Sequence, residues 1–126
     1  MILDIDSLGF TYGEKEILHD ISFSADRGSV VSILGPNGVG KTTLLKCICN
    51  LHRPSSGIVT VGGKDVSAMT SRERAKHIAY VPQSAIPGAI YVFDTVLIGR
   101  RPYIQWSATR NELEIAWSSM ESMKID

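Results

Sequence analysis

Apolar and polar residues alternate in two stretches near the start of the chain, Ile2–Leu8 and Ile21–Ala25. A period of two is typical of antiparallel strands that cover one face and expose the other. Turn residues occur at 11–15 and at 26–28. The pattern therefore predicts two antiparallel strands in the first part of the chain.

Three further apolar runs lack a clear alternation. Ser29–Leu34 is mostly apolar, which is typical of a strand buried on both faces. Ile58–Val61 and Ile78–Val81 are shorter, rich in β-branched or aromatic residues, and bounded by glycine or proline. We predict a strand at each of the three.

Helical signals follow these runs. Apolar residues recur at helical spacing in Lys41–Asn50. Thr70 and Thr109 are each followed three residues later by glutamate, the capping-box pattern that begins a helix. Asp94 is placed to cap a short helix over residues 95–99. Strands combined with helices predict an α/β unit whose N-terminal portion is antiparallel.

Composition excludes some classes of function. The chain has 126 residues and is 44% hydrophobic, which suits one small domain or a piece of a larger one. Thirteen basic and 13 acidic residues cancel, so a nucleic-acid partner is not expected. The N-terminus has no basic stretch and no apolar run is long enough to span a bilayer, so we expect a cytoplasmic chain. His19, His52 and His77 lack ligand spacing and are assigned no catalytic role.

The stretch GPNGVGKTT matches the pattern G-x-x-x-x-G-K-[ST] without a gap. Glycines let backbone N–H groups wrap a phosphate chain, and the following helix directs its N-terminal amides and positive dipole end at the anion. Lys41 would contact the β and γ phosphates, and the Thr42 hydroxyl would bind Mg²⁺. The candidate nucleotide-binding residues are Gly35, Pro36, Asn37, Gly38, Val39, Gly40, Lys41, Thr42 and Thr43.

Other segments carry a resemblance. Phe10–Gly13 (FTYG), Pro54–Val59 (PSSGIV) and Tyr80–Gln83 (YVPQ), in this order around the loop, resemble the nucleotide-binding subunit of ATP-binding cassette transporters. The likeness covers essentially all 126 residues. Thr95–Pro102 is similar to the importer branch that serves iron-siderophore, haem and cobalamin uptake. The resemblance implies a P-loop NTPase half-domain that binds ATP and Mg²⁺.

The resemblance also implies roles for single residues. Tyr12 would stack on adenine, and Thr43 would reach an α phosphate. Gln83 would contact Mg²⁺ and the attacking water, and so would be catalytic together with Lys41. Each has a plainer alternative: a locally packed tyrosine, a threonine that caps a helix, and a solvated loop glutamine.

In the family, the region corresponding to residues 84–103 faces membrane-spanning permease subunits, and a second ATP-binding subunit completes the dimer. The resemblance therefore implies a chain that is peripheral on the inner face of the membrane. An apolar loop that folds onto its own domain is the alternative. The apolar residues that would make such a contact are Ile86, Ile90, Tyr91, Val92 and Phe93.

The family also uses a Leu-Ser-Gly-Gly-Gln-like signature, an apolar strand ending in Asp-Glu, and a late histidine, and none of them follows residue 83. We therefore expect the N-terminal part of such a domain. Residues 1–83 would form the antiparallel β portion and the P-loop core, and residues 84–126 the start of the helical subdomain. The chain would grip ATP without turning it over, within a transporter that imports an iron-siderophore or related cofactor.

Two other functions remain to be compared with this one. A non-catalytic nucleotide-binding or regulatory module would share the phosphate loop but need none of the missing motifs. A P-loop kinase or GTPase is disfavoured, because the chain has no guanine-reading Asn-Lys-x-Asp.

Overall fold

The computed structural model describes residues 1–84, 88 and 90–125. The chain forms two compact units, Met1–Tyr80 and Val81–Asp126. The first unit contains the strands and the glycine-rich loop, and the second contains two helices. In the described part of the chain, no helix is long and apolar enough to cross a membrane.

The first unit is built on a four-stranded antiparallel sheet in the order β2-β1-β3-β4. The strands predicted from the first two alternating stretches and from Ile58–Val61 are confirmed, and each is longer than predicted. The hairpin turn is confined to Gly13 and Glu14, so Thr11 and Tyr12 belong to a strand and not to a turn. The strands are β1 (Leu3–Tyr12), β2 (Lys15–Ala25), β3 (Ser56–Val61) and β4 (Lys64–Asp65).

A bulge interrupts the alternation of β1. The register shifts after Ile5 against β2 and after Asp6 against β3, and Ser7 has a φ of 51°. Ile5 and Leu8 are consequently both buried although they are three positions apart. Gly57 lies in β3 opposite the bulge, where a Cβ would overlap the backbone of Asp6 and Ser7. Glycine at this position is a requirement of the bulge.

The core of the first unit lies between the sheet and helix α1 (Lys41–Ile48). Of the apolar residues predicted at helical spacing in this segment, Leu44 is buried, Ile48 is half-buried and Leu45 is 42% exposed. Burial raises the pKa of the Cys47 thiol, which behaves as a small hydrophobic residue. The buried cluster consists of Ile5, Leu8, Phe10, Leu18, Leu44, Cys47, Val59, Val61 and Val66.

Two predicted strands are absent. The structure assigns no strand to Ser29–Leu34 or to Ile78–Val81. Val30, Leu34 and Val81 are 93%, 89% and 88% exposed. A strand covered on both faces depends on neighbours that take up its N–H and C=O groups, and no strand among the described residues pairs with either segment. Their apolar sequence therefore predicted a strand that this chain does not form.

Helix α2 (Ser71–His77) begins with the predicted capping box. The backbone N–H of Glu73 donates to the Thr70 hydroxyl at 3.2 Å, and the backbone N–H of Thr70 donates to the Glu73 carboxylate at 2.9 Å. The hydrogen bonds that the Thr70 backbone N–H and the Thr70 hydroxyl donate to this carboxylate lower the pKa of Glu73. Arg74 then donates to the carbonyl oxygens of Val66 and Met69, at 3.3 and 3.2 Å, and ties the helix to the segment before it.

The second unit consists of α3 (Val92–Ile98) and α4 (Arg110–Ser122), which contact each other. The predicted capping box of Thr109 and Glu112 is present at the start of α4. Asp94 does not cap α3: Tyr91 precedes the helix, and Asp94 lies in its first turn. A carboxylate there still favours the helix, because it faces the positive end of the dipole.

The apolar face of α4 is only half covered. Ala116 and Met120 are buried, as is the capping residue Glu112. Leu113 and Trp117 are 39% and 56% exposed and line a shallow groove beside Phe93, whose ring centre lies 6.0 Å from that of Trp117.

Candidate functional site

The glycine-rich loop of residues 35–40 leads directly into α1. Its residues are exposed except for the half-buried Gly40. Gly38 and Gly40 have φ angles of 81° and 103°, in the left-handed region that residues with a Cβ rarely adopt. The loop backbone is thus exposed and takes conformations that require glycine, in agreement with the motif. The loop ends where helix α1 begins.

Gly40 is also required by packing. A Cβ on this residue would lie 3.1 Å from the side chains of Ile17 and Leu18, and 3.3 Å from the Ile17 carbonyl oxygen. Because no side chain intervenes, the helix start rests directly on β2. Gly38 has no neighbour within 4 Å of its notional Cβ, so only its φ angle requires glycine. Gly40 is therefore required by both its packing and its φ angle, and Gly38 by its φ angle alone.

Lys41 lies over the loop. Its ammonium donates to the carbonyl oxygens of Gly35 at 2.6 Å and of Pro36 at 2.7 Å. These acceptors hold the ammonium against the start of the loop. A phosphate would compete with these neutral carbonyls for the ammonium, and a hydrogen bond between a cation and an anion is stronger than one between a cation and a neutral carbonyl. The lysine is thus positioned beforehand for an anion bound in the loop.

The two threonines occupy the first turn of α1. Thr42 is exposed and Thr43 is half-buried. The first N–H groups of a helix have no acceptor within the helix, and here they begin next to the loop. The exposed Thr42 hydroxyl fits one position of Mg²⁺, an ion that takes most of its ligands from water and phosphate oxygens. No cluster of three His, Cys, Asp or Glu side chains suited to a metal occurs among the described residues.

Tyr12 forms an aromatic cluster with Phe10 and His52. The Phe10 and His52 rings are stacked, with centres 5.4 Å apart and planes 17° apart. The Tyr12 ring is nearly perpendicular to both, at 5.4 Å from Phe10 and 5.9 Å from His52. Phe10 is buried, His52 is half-buried, and Tyr12 is 62% exposed. Sequence reasoning missed His52, because its partners lie about 40 positions earlier and no spacing pattern connects them.

The other two histidines are placed apart from this cluster. His19 on β2 is exposed, and a hydrogen bond from its ring to Glu16 at 2.9 Å raises its pKa. His77 is the last residue of α2.

Gln83 belongs to the second unit, where it is exposed and lies outside regular secondary structure. Of the apolar residues predicted to contact a membrane partner, Ile90, Tyr91 and Val92 are exposed, at 55%, 83% and 51%, and Phe93 is half-buried. Ile86 lies outside the described residues.

A G-x-x-x-x-G-K-[ST] loop that leads directly into a helix, with its lysine bonded back to the loop carbonyls, is the phosphate-binding motif of the P-loop class. The chain belongs to the ABC transporter family, which matches residues 18–125. It is 40% identical over 126 residues to an uncharacterized ABC transporter ATP-binding protein of Methanocaldococcus jannaschii, covering 100% of this chain and 50% of that protein. The predicted family is confirmed.

A second relative is the "Probable iron chelatin transport ATP-binding protein" of Helicobacter pylori, 41% identical over 130 residues, with 100% of this chain and 51% of that protein covered. A solved structure of an ATP-binding subunit of an ABC transporter superposes with a TM-score of 0.79 at 24% identity, over 99% of this chain and 51% of that one. This likeness confirms the predicted fold class. The chain spans about half the length of the curated relatives it matches.

Proposed function

We propose that this chain is the N-terminal part of the ATP-binding subunit of a membrane transporter that couples MgATP binding and hydrolysis to import of an iron chelate or related cofactor. The observation that carries the proposal is the Lys41 ammonium, held at 2.6 and 2.7 Å from the carbonyl oxygens of Gly35 and Pro36 by a loop that leads into the start of α1. The iron chelate is supported by the transport role named for the Helicobacter pylori relative.

In this proposal, the backbone N–H groups of residues 35–40 and of the first turn of α1 bind the phosphate chain. Lys41 leaves its carbonyl acceptors for the β and γ phosphates. The Thr42 hydroxyl takes one position on Mg²⁺, and Thr43 contacts an α phosphate. Mg²⁺ supplies charge neutralisation at the phosphates when it is bound.

The Tyr12 ring stacks on the adenine. Its exposure leaves much of the ring free, and a flat aromatic surface binds a base without requiring a particular hydrogen-bond pattern. The hairpin connects this ring to the loop: Tyr12 pairs with Lys15, and Gly40 rests on Ile17 and Leu18 of the same strand. Three residues of a strand span about 10 Å, which suits a ligand with a base at one end and phosphates at the other.

Gln83 is the proposed residue that senses the γ phosphate and orients the attacking water, because a primary amide both donates and accepts hydrogen bonds. The exposed apolar residues 90–92 are the proposed contact with permease subunits, since such residues are enriched in the centre of protein interfaces. A second ATP-binding subunit completes the site, and the assembly lies on the inner face of the membrane.

We infer that residues 1–126 bind MgATP but do not hydrolyse it. The general base and the signature that the family contributes are not found in this sequence, and phosphoryl transfer depends on charge stabilisation from the complete site.

A binding measurement tests the proposal. Lys41→Ala should weaken MgATP affinity by about 10- to 100-fold, because a charge-assisted contact to phosphate is lost. Lys64→Ala removes an equal charge from the exposed strand β4 and should leave the affinity unchanged. Titration calorimetry of both variants measures the difference. Unchanged ATP affinity in Lys41→Ala, or ATP hydrolysis that survives it, would contradict the proposal.

A further inference from the structure

His52 connects the two ends of the candidate site. It follows α1 after three residues, and its backbone N–H donates to the Lys46 carbonyl oxygen at 3.1 Å, in the last turn of that helix. The same helix begins at Lys41, beside the phosphate loop. The continuous segment from Lys41 to His52 therefore begins at the phosphate loop and ends at the aromatic cluster.

The segment after His52 is attached to β1. Ser55 donates its backbone N–H to the Gly9 carbonyl oxygen at 2.9 Å, and its hydroxyl accepts from the backbone N–H of Thr11 at 3.0 Å. Gly9 and Thr11 flank Phe10 in the strand. These bonds hold the His52 ring against Phe10, so the stacked pair is positioned by backbone contacts on both sides.

The geometry limits how the Tyr12 ring can tilt. A ring perpendicular to two stacked neighbours makes two edge-to-face contacts, the arrangement that aromatic pairs favour. Phe10 is buried and belongs to the core, whereas His52 is half-buried and does not. Phe10 is thus needed for the core, whereas His52 is free to serve mainly in orienting Tyr12.

We propose that His52 is a positioning residue for the base-binding ring of Tyr12. The inference rests on the proposed function, since it assumes that Tyr12 stacks on the base of a bound nucleotide. His52 itself does not touch the phosphates. Without His52, the Tyr12 ring can adopt other orientations. Binding must then order the ring, and this entropic cost weakens the affinity for the nucleotide.

The test separates the base from the phosphates. Titration calorimetry of the full 126-residue chain with ATP, and with inorganic tripolyphosphate, compares the wild type with His52→Ala, His52→Phe and Tyr12→Ala. Loss of one aromatic pair should weaken ATP binding by about 2- to 10-fold in His52→Ala and leave tripolyphosphate binding unchanged. Phenylalanine keeps a flat ring and should restore ATP affinity.

His77→Ala, at the end of α2, is the matched control and should change neither affinity. Equal losses for ATP and tripolyphosphate, or no rescue by His52→Phe, would show a structural role only and overturn the inference. If Tyr12→Ala weakens ATP binding and His52→Ala does not, the inference fails while the proposed function stands. If Tyr12→Ala has no effect on ATP binding, the role proposed for Tyr12 fails, and this inference fails with it.

Discussion

β1 and Ser29–Leu34 each contain a segment predicted as a strand from its apolar pattern, and the outcomes are opposite. β1 pairs on both sides, with β2 and β3, and buries Ile5 and Leu8. Ser29–Leu34 has the more continuous apolar sequence, yet it pairs with no described strand and exposes Val30 and Leu34 almost completely. Apolar side chains make a strand favourable only where other strands satisfy its backbone. Whether an apolar segment forms a strand therefore depends on the presence of neighbouring strands, and not on hydrophobicity alone.

The capping boxes show the contrasting case. Thr70 with Glu73, and Thr109 with Glu112, are pairs three residues apart that bond each other's backbone. Such a signal needs no distant partner, and both boxes were predicted from sequence and are present. Local hydrogen bonding can therefore be predicted from the sequence, whereas strand pairing depends on the position of other strands in the fold.

The largest expected effect comes from the same substitution in the two regions. Leu8→Ala removes a fully buried side chain and should lower the free energy of unfolding by about 2–5 kcal/mol. Leu34→Ala alters a side chain that is 89% exposed and should change it by less than about 0.5 kcal/mol. Urea unfolding followed by circular dichroism measures both. Equal losses would mean that Ser29–Leu34 is packed in solution, which would contradict the difference between the two segments.

A smaller effect is expected where the end of the glycine-rich loop packs against β2. Gly40→Ala must place a Cβ 3.1 Å from Ile17 and Leu18 in a left-handed backbone. Gly38→Ala meets only the backbone cost, about 1–2 kcal/mol. We expect Gly40→Ala to be the more destabilising of the two in thermal unfolding, because it also separates α1 from β2. The reverse order would show that the loop does not rest on the sheet.

The smallest effect concerns the local signal of α4. Hydrogen bonds from Thr109 lower the pKa of Glu112 below its ordinary value of 4.5. A carboxylate with a lowered pKa stabilises the folded state fully above that ordinary value, and the stabilisation is lost as pH falls through the folded pKa. Wild type should therefore exceed Glu112→Gln in melting temperature at pH 7, and the gap should narrow as the pH falls below 4.5.

Glu114→Gln is the matched control on the same helix. Its ion pair with Arg110, at 2.8 Å, is exposed to solvent, so its removal should change the melting temperature less. A gap at Glu112 that persists unchanged to low pH would assign the effect to side-chain packing.

Much of the candidate site was predictable because its signals are local. The spacing of Gly35, Gly40, Lys41 and Thr42 placed the loop and the helix start, and the structure has both. The family resemblance singled out Tyr12, and the structure leaves its ring exposed. The site roles of these residues stay predictions for the binding experiments.

What could not be predicted depends on contacts between distant segments. The bulge at Ser7 and the glycine opposite it, Gly57, are explained only by the pairing of β1 with β3. The acceptors of Lys41 and the stacking of His52 on Phe10 likewise have no signature along the chain.

The phosphate loop, the two capping boxes and the family could be predicted from the sequence alone, because each rests on residues at short fixed spacings or on similarity along the chain. The apolar runs that form strands, the packing contacts of Gly40 and Gly57, and the histidine that contacts Tyr12 are seen only in the fold. The physical reason is that backbone hydrogen bonds between strands and contacts between rings are made across the fold, where spacing along the chain no longer reports proximity.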